Sequence, residues 1–179
     1  MILSVVDDWL DIDFCANLAN HIIYYTDHSY GHNSDSGVFT SDGISFYTVS
    51  CDTNNFHVKY MCGKIINSLV GKDIEFLHGV KSCGFSRVYA NIQYPGMDGA
   101  MHTDDGDMTA IYMISNTLGS GIGSFEYIEE GKCESIDFVQ NRLVLFEGNI
   151  HRGLAPKELN PRVTVAFKIV LKRENDKNL

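Results

Sequence analysis

His102 and Asp104 stand one residue apart at the end of the stretch Tyr94-Pro-Gly-Met-Asp-Gly-Ala-Met-His-Thr-Asp104. In extended backbone, side chains alternate with period 2, so His102 and Asp104 point to one side and can reach one ion while Thr103 faces away. The best candidate for a third ligand is His151, which follows the apolar run Leu143-Val-Leu-Phe146 and the turn Glu147-Gly-Asn149. Two imidazoles and one carboxylate suit a non-haem ferrous centre that keeps coordination positions open. Eleven residues after His151 comes Arg162, at the head of Arg162-Val-Thr-Val-Ala-Phe-Lys-Ile-Val170. Alternation places Arg162, Thr164 and Ala166 on one face of that strand. A metal triad followed by a strand-borne cation suits a small acid that chelates metal at one end and pairs with Arg162 at the other. A planar guanidinium holds a carboxylate with two charge-assisted hydrogen bonds, which Lys cannot reproduce. Arg152, beside the distal histidine, is the competing cation.

Each part has a blander reading. With Asp105 and Asp107 close by, the carboxylates form an acidic turn, and His151 alone reads equally well as a core histidine bonded to backbone. His28 and His32, four apart around Gly31, read as a solvated loop, and His21 and His57 as helix surface. The combination of triad and Arg162 is what separates the chemical reading from these.

Stepping along the chain, Asp11–Ile23 has helical spacing with Phe14, Leu18 and Ile22 on one side and Asp11 or Asp13 as cap. A second helix is expected from about Asn54 to Leu69, with Val58, Cys62, Ile65, Ile66 and Leu69 inward, Met61 as packing, and Gly71 as stop. Between them Thr26–Gly43 is a long polar loop of the kind that shapes binding sites. From Ile74 the period becomes alternating: Ile74–Val80, Ser86–Tyr94, Met108–Ser115, Ser124–Ile128, Cys133–Phe138, Arg142–Phe146 and Val163–Leu171 read as strands. The expected fold is mainly β with flanking helices, a jelly-roll core (a double-stranded β-helix) supported by two N-terminal helices. A single domain over 1–179 divides into helical support (1–73), jelly-roll catalytic core (74–171) and polar tail (172–179).

At 179 residues, 44% hydrophobic and 21% charged, the composition is that of an ordinary globular domain. The formal net charge of −9, from 14 Lys+Arg against 23 Asp+Glu, argues against a nucleic-acid partner. Five scattered cysteines without a C-x-x-C read as reduced thiols. No basic leader is visible and no apolar run approaches the roughly 20 residues of a membrane helix, so the expected location is the cytoplasm.

Tyr89 to Val170, nearly half of the chain, resembles the catalytic core of the Fe(II)/2-oxoglutarate-dependent dioxygenases, in the prolyl hydroxylase-like branch. Tyr94-Pro-Gly96 precedes His102-Thr-Asp104 as in that branch; the strand Thr109–Ile114 leads through a Gly turn to Gly123-Ser-Phe-Glu-Tyr127. Asn141-Arg-Leu-Val-Leu-Phe146 resembles the strand before the distal histidine, and His151-Arg-Gly-Leu-Ala-Pro156 with Arg162–Phe167 resembles that histidine and the co-substrate strand. The resemblance implies His102, Asp104 and His151 as ligands of Fe(II). It implies Arg162 as partner of the 2-oxoglutarate C5 carboxylate, Thr164 as a further hydroxyl on it, and Tyr94 as a pocket wall. Met113 stands where related enzymes often carry a co-substrate tyrosine, with Tyr112 facing away; either a one-residue shift restores Tyr112, or the anchor relies on Arg162, Thr164 and another donor. The implied reaction consumes O2, releases succinate and CO2, and hydroxylates a C–H bond. A prolyl residue of a peptide or protein is the implied substrate, with a free amino acid or small metabolite as the alternative. Ascorbate is the auxiliary reductant to test. Asp104 favours hydroxylation over halogenation, since the related halogenases lack that carboxylate. Two rival classes remain: a non-catalytic jelly-roll binding module, and a zinc hydrolase using Glu126 or Glu147 as base.

Overall fold

The computed structural model describes residues 1–32, 45–69 and 77–173. Among the described residues, ten strands and two helices follow in the order β1 (Ile2–Val6), α1 (Ile12–Tyr25), β2 (Ser29–His32), β3 (Phe46–Ser50), α2 (Phe56–Leu69), β4 (Val80–Gln93), β5 (Met108–Met113), β6 (Phe125–Glu129), β7 (Lys132–Ile136), β8 (Arg142–Phe146), β9 (His151–Gly153) and β10 (Arg162–Arg173). They form a seven-stranded sheet, β1-β8-β5-β10-β4-β3-β2, and a three-stranded sheet, β7-β6-β9. All the pairings are antiparallel. Mainly β with two helices is the expected class, and the two antiparallel sheets are consistent with a jelly roll.

Alternation along β10 divides the interior in two. Val163, Val165, Phe167, Ile169 and Leu171 enter the larger apolar cluster, together with Val88, Ala90 and Ile92 of β4 and the inward residues of both helices. Each such side chain contributes on the order of 1.5–3 kcal/mol by leaving water. The opposite face of the large sheet meets the small one: Met113, Phe125, Phe138, Val144 and Phe146 form a second cluster. Arg162, Thr164, Ala166 and Lys168 lie on that face too, and all four border a cavity.

Asp11 caps α1 as expected, its Oδ1 accepting from the backbone N–H groups of Asp13 and Phe14 at 3.0 Å each. The buried stripe is Cys15, Ala19 and Ile22 rather than Phe14, Leu18 and Ile22. Small residues at the centre let the helix approach the sheet closely, and Phe14 and Leu18 flank the contact. On α2 the inward residues are Val58, Met61, Ile65 and Leu69, so Met61 packs in the core while Cys62 and Ile66 flank it.

Four strands were not expected: β1, β2, β3 and the short β9. β1, β2 and β3 belong to the region read as helical support, yet they pair into the large sheet. β2 is polar Ser-Tyr-Gly-His, with no alternation to announce it; its pairing to β3 makes it an edge strand. It occupies the start of the expected Thr26–Gly43 loop, of which 33–44 lies outside the described residues. The strand expected at Ile74–Val80 falls largely on 70–76, also outside them, and β4 begins at Val80. Lys172 and Arg173, read as tail, extend β10. The β6–β7 hairpin turns through Glu130 (φ 50°) and Gly131 (φ 76°), the two positive dihedrals that a two-residue turn of matching twist requires. The cysteines are free thiols. No described helix is long and apolar enough to cross a membrane.

Candidate metal centre

Backbone hydrogen bonds hold the two histidines side by side. β9 pairs with β6, setting His151 opposite Tyr127, and its free edge takes up the segment before Asp104. His102 N–H donates to the His151 carbonyl at 2.9 Å, and His151 N–H donates to the His102 carbonyl at 2.8 Å. The imidazole centroids are 4.4 Å apart. Phe146 and Phe125 pack against His151, at 4.7 and 5.2 Å between ring centroids. Nδ1 of His102 lies 2.9 Å from the Ala100 carbonyl, and Nδ1 of His151 lies 2.8 Å from the Asn149 carbonyl. Only N–H can donate to a carbonyl, so Nδ1 carries the proton on each ring and Nε2 keeps its lone pair. Both Nε2 atoms lie 3.5 Å from Asp104, one from each carboxylate oxygen. The three donor atoms fall within 4.8 Å of one another. Two imidazoles with Nε2 turned to one carboxylate, pre-oriented in this way, fit ferrous iron.

Beside them Asp105, Gly106 and Asp107 form the acidic turn that the cluster of carboxylates suggested. Asp107 accepts from Leu171 N–H at 2.7 Å, and Asp105 pairs with Arg87 at 3.0 Å. Asp104 is different. Burial opposes its ionisation, but the surrounding His102, His151 and Lys168 side chains outweigh this and hold the carboxyl far below its ordinary range. Thr109 donates to its Oδ2 at 2.7 Å, and the Lys168 ammonium pairs with the same oxygen.

Burial pushes the His151 imidazole down to about 4, against the opposing pull of Asp104. Its ordinary value is 6.5, so between those limits the unfolded chain binds more protons than the folded one. Stability of the metal-free protein from this group is therefore complete above about pH 6.5 and is lost as the pH falls towards 4. The loss amounts to about 3 kcal/mol. Urea unfolding across that range should show the slope in the wild type and a flatter profile in His151→Gln. Equal slopes in both would show that His151 is not the group responsible.

Arg162 is 3 % exposed, and no described carboxylate lies within ion-pair distance. Its Nε donates to the Gly123 carbonyl and its Nη1 to Gln93 Oε1, both at 2.7 Å. Burial alone lowers its guanidinium to about 10, which leaves it charged at neutral pH. The guanidinium lies flat against Gly153, where a Cβ would come within 2.9–3.0 Å of it. Glycine is required there by that close approach. Gln93, paired with Arg162 in register, also donates to the Met97 and Gly153 carbonyls, at 2.7 and 3.1 Å. One amide thus ties the cation to the turn that precedes His102 and to the strand of His151. Thr164 and Asn91 border the same cavity, and Asn91 Oδ1 is buried without a hydrogen-bond partner among the described residues. Together these groups form a polar recess suited to the carboxylate end of a small diacid.

Two expected pocket residues are not at the cavity. Tyr94-Pro-Gly96-Met97 is a tight turn: Met97 N–H donates to the Tyr94 carbonyl at 3.1 Å, and Gly96 has φ 84°. Pro at the second and Gly at the third position give a type II turn. Gln93 faces the site, so the next residue, Tyr94, turns to the helix side and packs on the larger cluster near Tyr47. Met113 does share the site face but lies deeper, in the second cluster, and Ile111 borders the cavity instead. Tyr112 faces away, as its alternation implied; its hydroxyl donates to Asn141 Oδ1 at 2.8 Å. Arg152, the competing cation, is engaged by Glu126 at 2.7 Å. His28 bonds the Ile22 carbonyl, and the side chain of His32 lies outside the description.

Four site residues were missed: Gln93, Asn91, Thr109 and Lys168. Lys168 was legible, since Arg162, Thr164 and Ala166 mark a face that one further step of two extends to it. Gln93 and Asn91 needed the β4–β10 register, which sequence alone does not supply.

No family profile matches the sequence, and no curated protein matches it either. Solved structures do. A prolyl-4-hydroxylase from Pseudomonas putida superposes with a TM-score of 0.66 at 14% identity, covering 96% of this chain and 92% of that one. A prolyl hydroxylase from Trichoplax adhaerens, solved with a hypoxia inducible factor peptide fragment, gives 0.69 at 16% identity, covering 92% and 82%. A viral collagen prolyl hydroxylase from Paramecium Bursaria Chlorella virus-1, in its 2OG complex, gives 0.65 at 14% identity, covering 93% and 94%. At such low identity the likeness is one of architecture, and the chain therefore has the fold of the prolyl hydroxylase-like 2OG-Fe(II) oxygenases.

Proposed function

We propose that this chain is an Fe(II)- and 2-oxoglutarate-dependent dioxygenase that hydroxylates a C–H bond, with a prolyl residue of a peptide or protein as its substrate. The two sheets are read as the family's double-stranded β-helix. The observation that carries the reading is Arg162. A guanidinium buried with no carboxylate partner, bordering the same cavity as a His-Asp-His triad, is expensive to keep unless a ligand completes it. The prolyl assignment draws on the three fold neighbours, all named prolyl hydroxylases, one of them solved with a peptide fragment.

His102, Asp104 and His151 would hold the iron. Arg162, with Thr164 and Asn91 beside it, would bind the far carboxylate of 2-oxoglutarate. Bound iron, co-substrate and oxygen supply the oxidative decarboxylation that releases succinate and CO2 and drives hydroxylation. The residues of the chain bind, orient and exclude water. Thr109 and Lys168 hold one oxygen of Asp104, so the carboxylate is presented in a fixed rotation. The Phe125 and Phe146 rings pin His151 and keep solvent from it. Burial and the nearby Asp104 charge push the Tyr89 phenol well above its ordinary range, so this wall of the cavity stays neutral.

The hydrolase alternative loses its bases: Glu126 is tied to Arg152, and Glu147 does not border the cavity. A binding module alone gives no reason for a buried Arg162. The deciding experiment is anaerobic titration of the metal-free protein with Fe(II) and then 2-oxoglutarate. A weak visible charge-transfer band is expected in the wild type and absent in His151→Ala. Folded wild-type protein that gives no band would reject the assignment.

A further inference from the structure

The face of β10 that carries Arg162 and Thr164 ends in Lys168. This lysine is 1 % exposed and borders the cavity. Its ammonium pairs with Asp104, donates to Thr109 Oγ1 at 3.4 Å, and lies 5.8 Å from the centroid of the Tyr89 ring. Arg87 covers the same ring at 4.9 Å. A cleft bordered by Thr48, Ser50, Arg87 and Tyr89 adjoins the cavity at Tyr89, which lines both.

Charge accounting gives Lys168 its meaning. Apart from the histidines and Tyr89, the described ionisable residues that border the cavity are Asp104, Arg162 and Lys168. Two ion pairs outside the cavity lining cancel their own charges, Arg87 with Asp105 at 3.0 Å and Arg152 with Glu126 at 2.7 Å. Under the function proposed above, Asp104 becomes a ligand of a dication, and Arg162 faces one end of a dianion. Metal, Asp104, co-substrate and Arg162 then sum to zero. Lys168 then shares with the metal the one described carboxylate it touches, and it is left a buried cation with no other anion in contact. Such a charge is costly in a low-dielectric cavity.

We infer that the substrate supplies the missing charge: it carries a carboxylate that seats against Lys168 beside the metal, with the rest of the substrate running into the cleft past Tyr89. This rests on the function proposed above and narrows its substrate class to anionic molecules or segments. The carboxylate belongs either to a small free acid or to an acidic side chain next to the modified residue.

The test uses full-length protein loaded with Mn(II) and 2-oxoglutarate without oxygen, so that nothing turns over. Metal-induced relaxation of probe protons reads binding close to the ion. Three shape-matched pairs that differ in charge serve as probes: acetate and acetamide; N-acetyl-L-proline and its amide; and acetyl-Pro-Asp-amide and acetyl-Pro-Asn-amide. In the wild type the carboxylate member is expected to bind at least about tenfold tighter than its neutral partner. The preference should collapse in Lys168→Met and survive in Lys168→Arg. Preference in the second pair alone identifies a free acid, and in the third alone an acidic side chain. Loaded wild-type protein with no carboxylate preference, or a preference undiminished in Lys168→Met, overturns the inference and leaves the proposed function standing. Wild-type protein that takes up neither Mn(II) nor 2-oxoglutarate overturns both.

Discussion

Replacing Arg162 by alanine is expected to weaken 2-oxoglutarate binding by roughly 3–5 kcal/mol, two to three orders of magnitude in Kd or more. The loss is large because the ligand's carboxylate would enter the same buried recess without its counter-ion. Arg162→Lys should recover little. An ammonium cannot donate to Gly123, Gln93 and a ligand in one plane, as the guanidinium is placed to do. Arg152→Ala is the control: it pairs with Glu126 outside the cavity lining, and the co-substrate affinity should stay within about threefold of wild type. Calorimetric titration of the metal-loaded variants reads all three. If Arg152→Ala loses affinity while Arg162→Ala keeps it, the two cations have been assigned the wrong way round. Folding of Arg162→Ala should change little, because removing a desolvated charge offsets the two lost hydrogen bonds.

The second large effect concerns stability. Asn141→Ala is expected to cost about 3–5 kcal/mol, lowering Tm on the order of 10 °C. The Asn141 side chain is buried and fully used. Its Oδ1 accepts from Leu10 N–H at 3.1 Å and from the Tyr112 hydroxyl at 2.8 Å, and its Nδ2 donates to the Leu10 carbonyl at 2.7 Å. Its backbone carbonyl accepts from Trp9, and its N–H donates to Met113. One residue therefore clasps the link between β1 and α1 to β5, with the Trp9 ring set edge-on to Tyr112. Alanine strands three buried polar groups. It also places a Cβ at φ 67°, a left-handed conformation that asparagine tolerates better than most. Asn141→Gly removes only the conformational part and should recover about 1 kcal/mol. Urea unfolding separates the variants; similar losses in both would show that the hydrogen bonds account for all of the effect.

How much of this was legible depends on distance along the chain. His102 with Asp104, and Arg162 with Thr164, lie on extended segments where period 2 alone decides the face, and the structure brings all of them with His151 to one cavity. Tyr94, a pocket wall only by the resemblance, packs on the helix side instead; the Tyr-Pro-Gly sequence serves the turn, while the neighbouring Gln93 borders the cavity. Met113 had the right face but the wrong depth, because depth depends on how the second sheet closes over β5. The strands β1, β2 and β3 were invisible for a related reason. Short segments such as Ser-Tyr-Gly-His become strands through the partners they meet, and those partners lie far off in sequence.

The reciprocal peptide bonds between His102 and His151 have a further consequence, for how such a chain can change over evolution. The separation of the two imidazoles is set by peptide groups that grip one another directly, not by the length of chain from Thr103 to Ile150. That span contains the turn at Gly119–Gly123 and the Glu130-Gly131 hairpin tip. The Gly119–Gly123 turn also carries the carbonyl that holds Arg162, but the hairpin tip can gain or lose residues without altering the bite of the two nitrogens. Insertions there are neutral to the centre, and a lineage can reshape the surroundings of its metal while the grip itself stays unchanged.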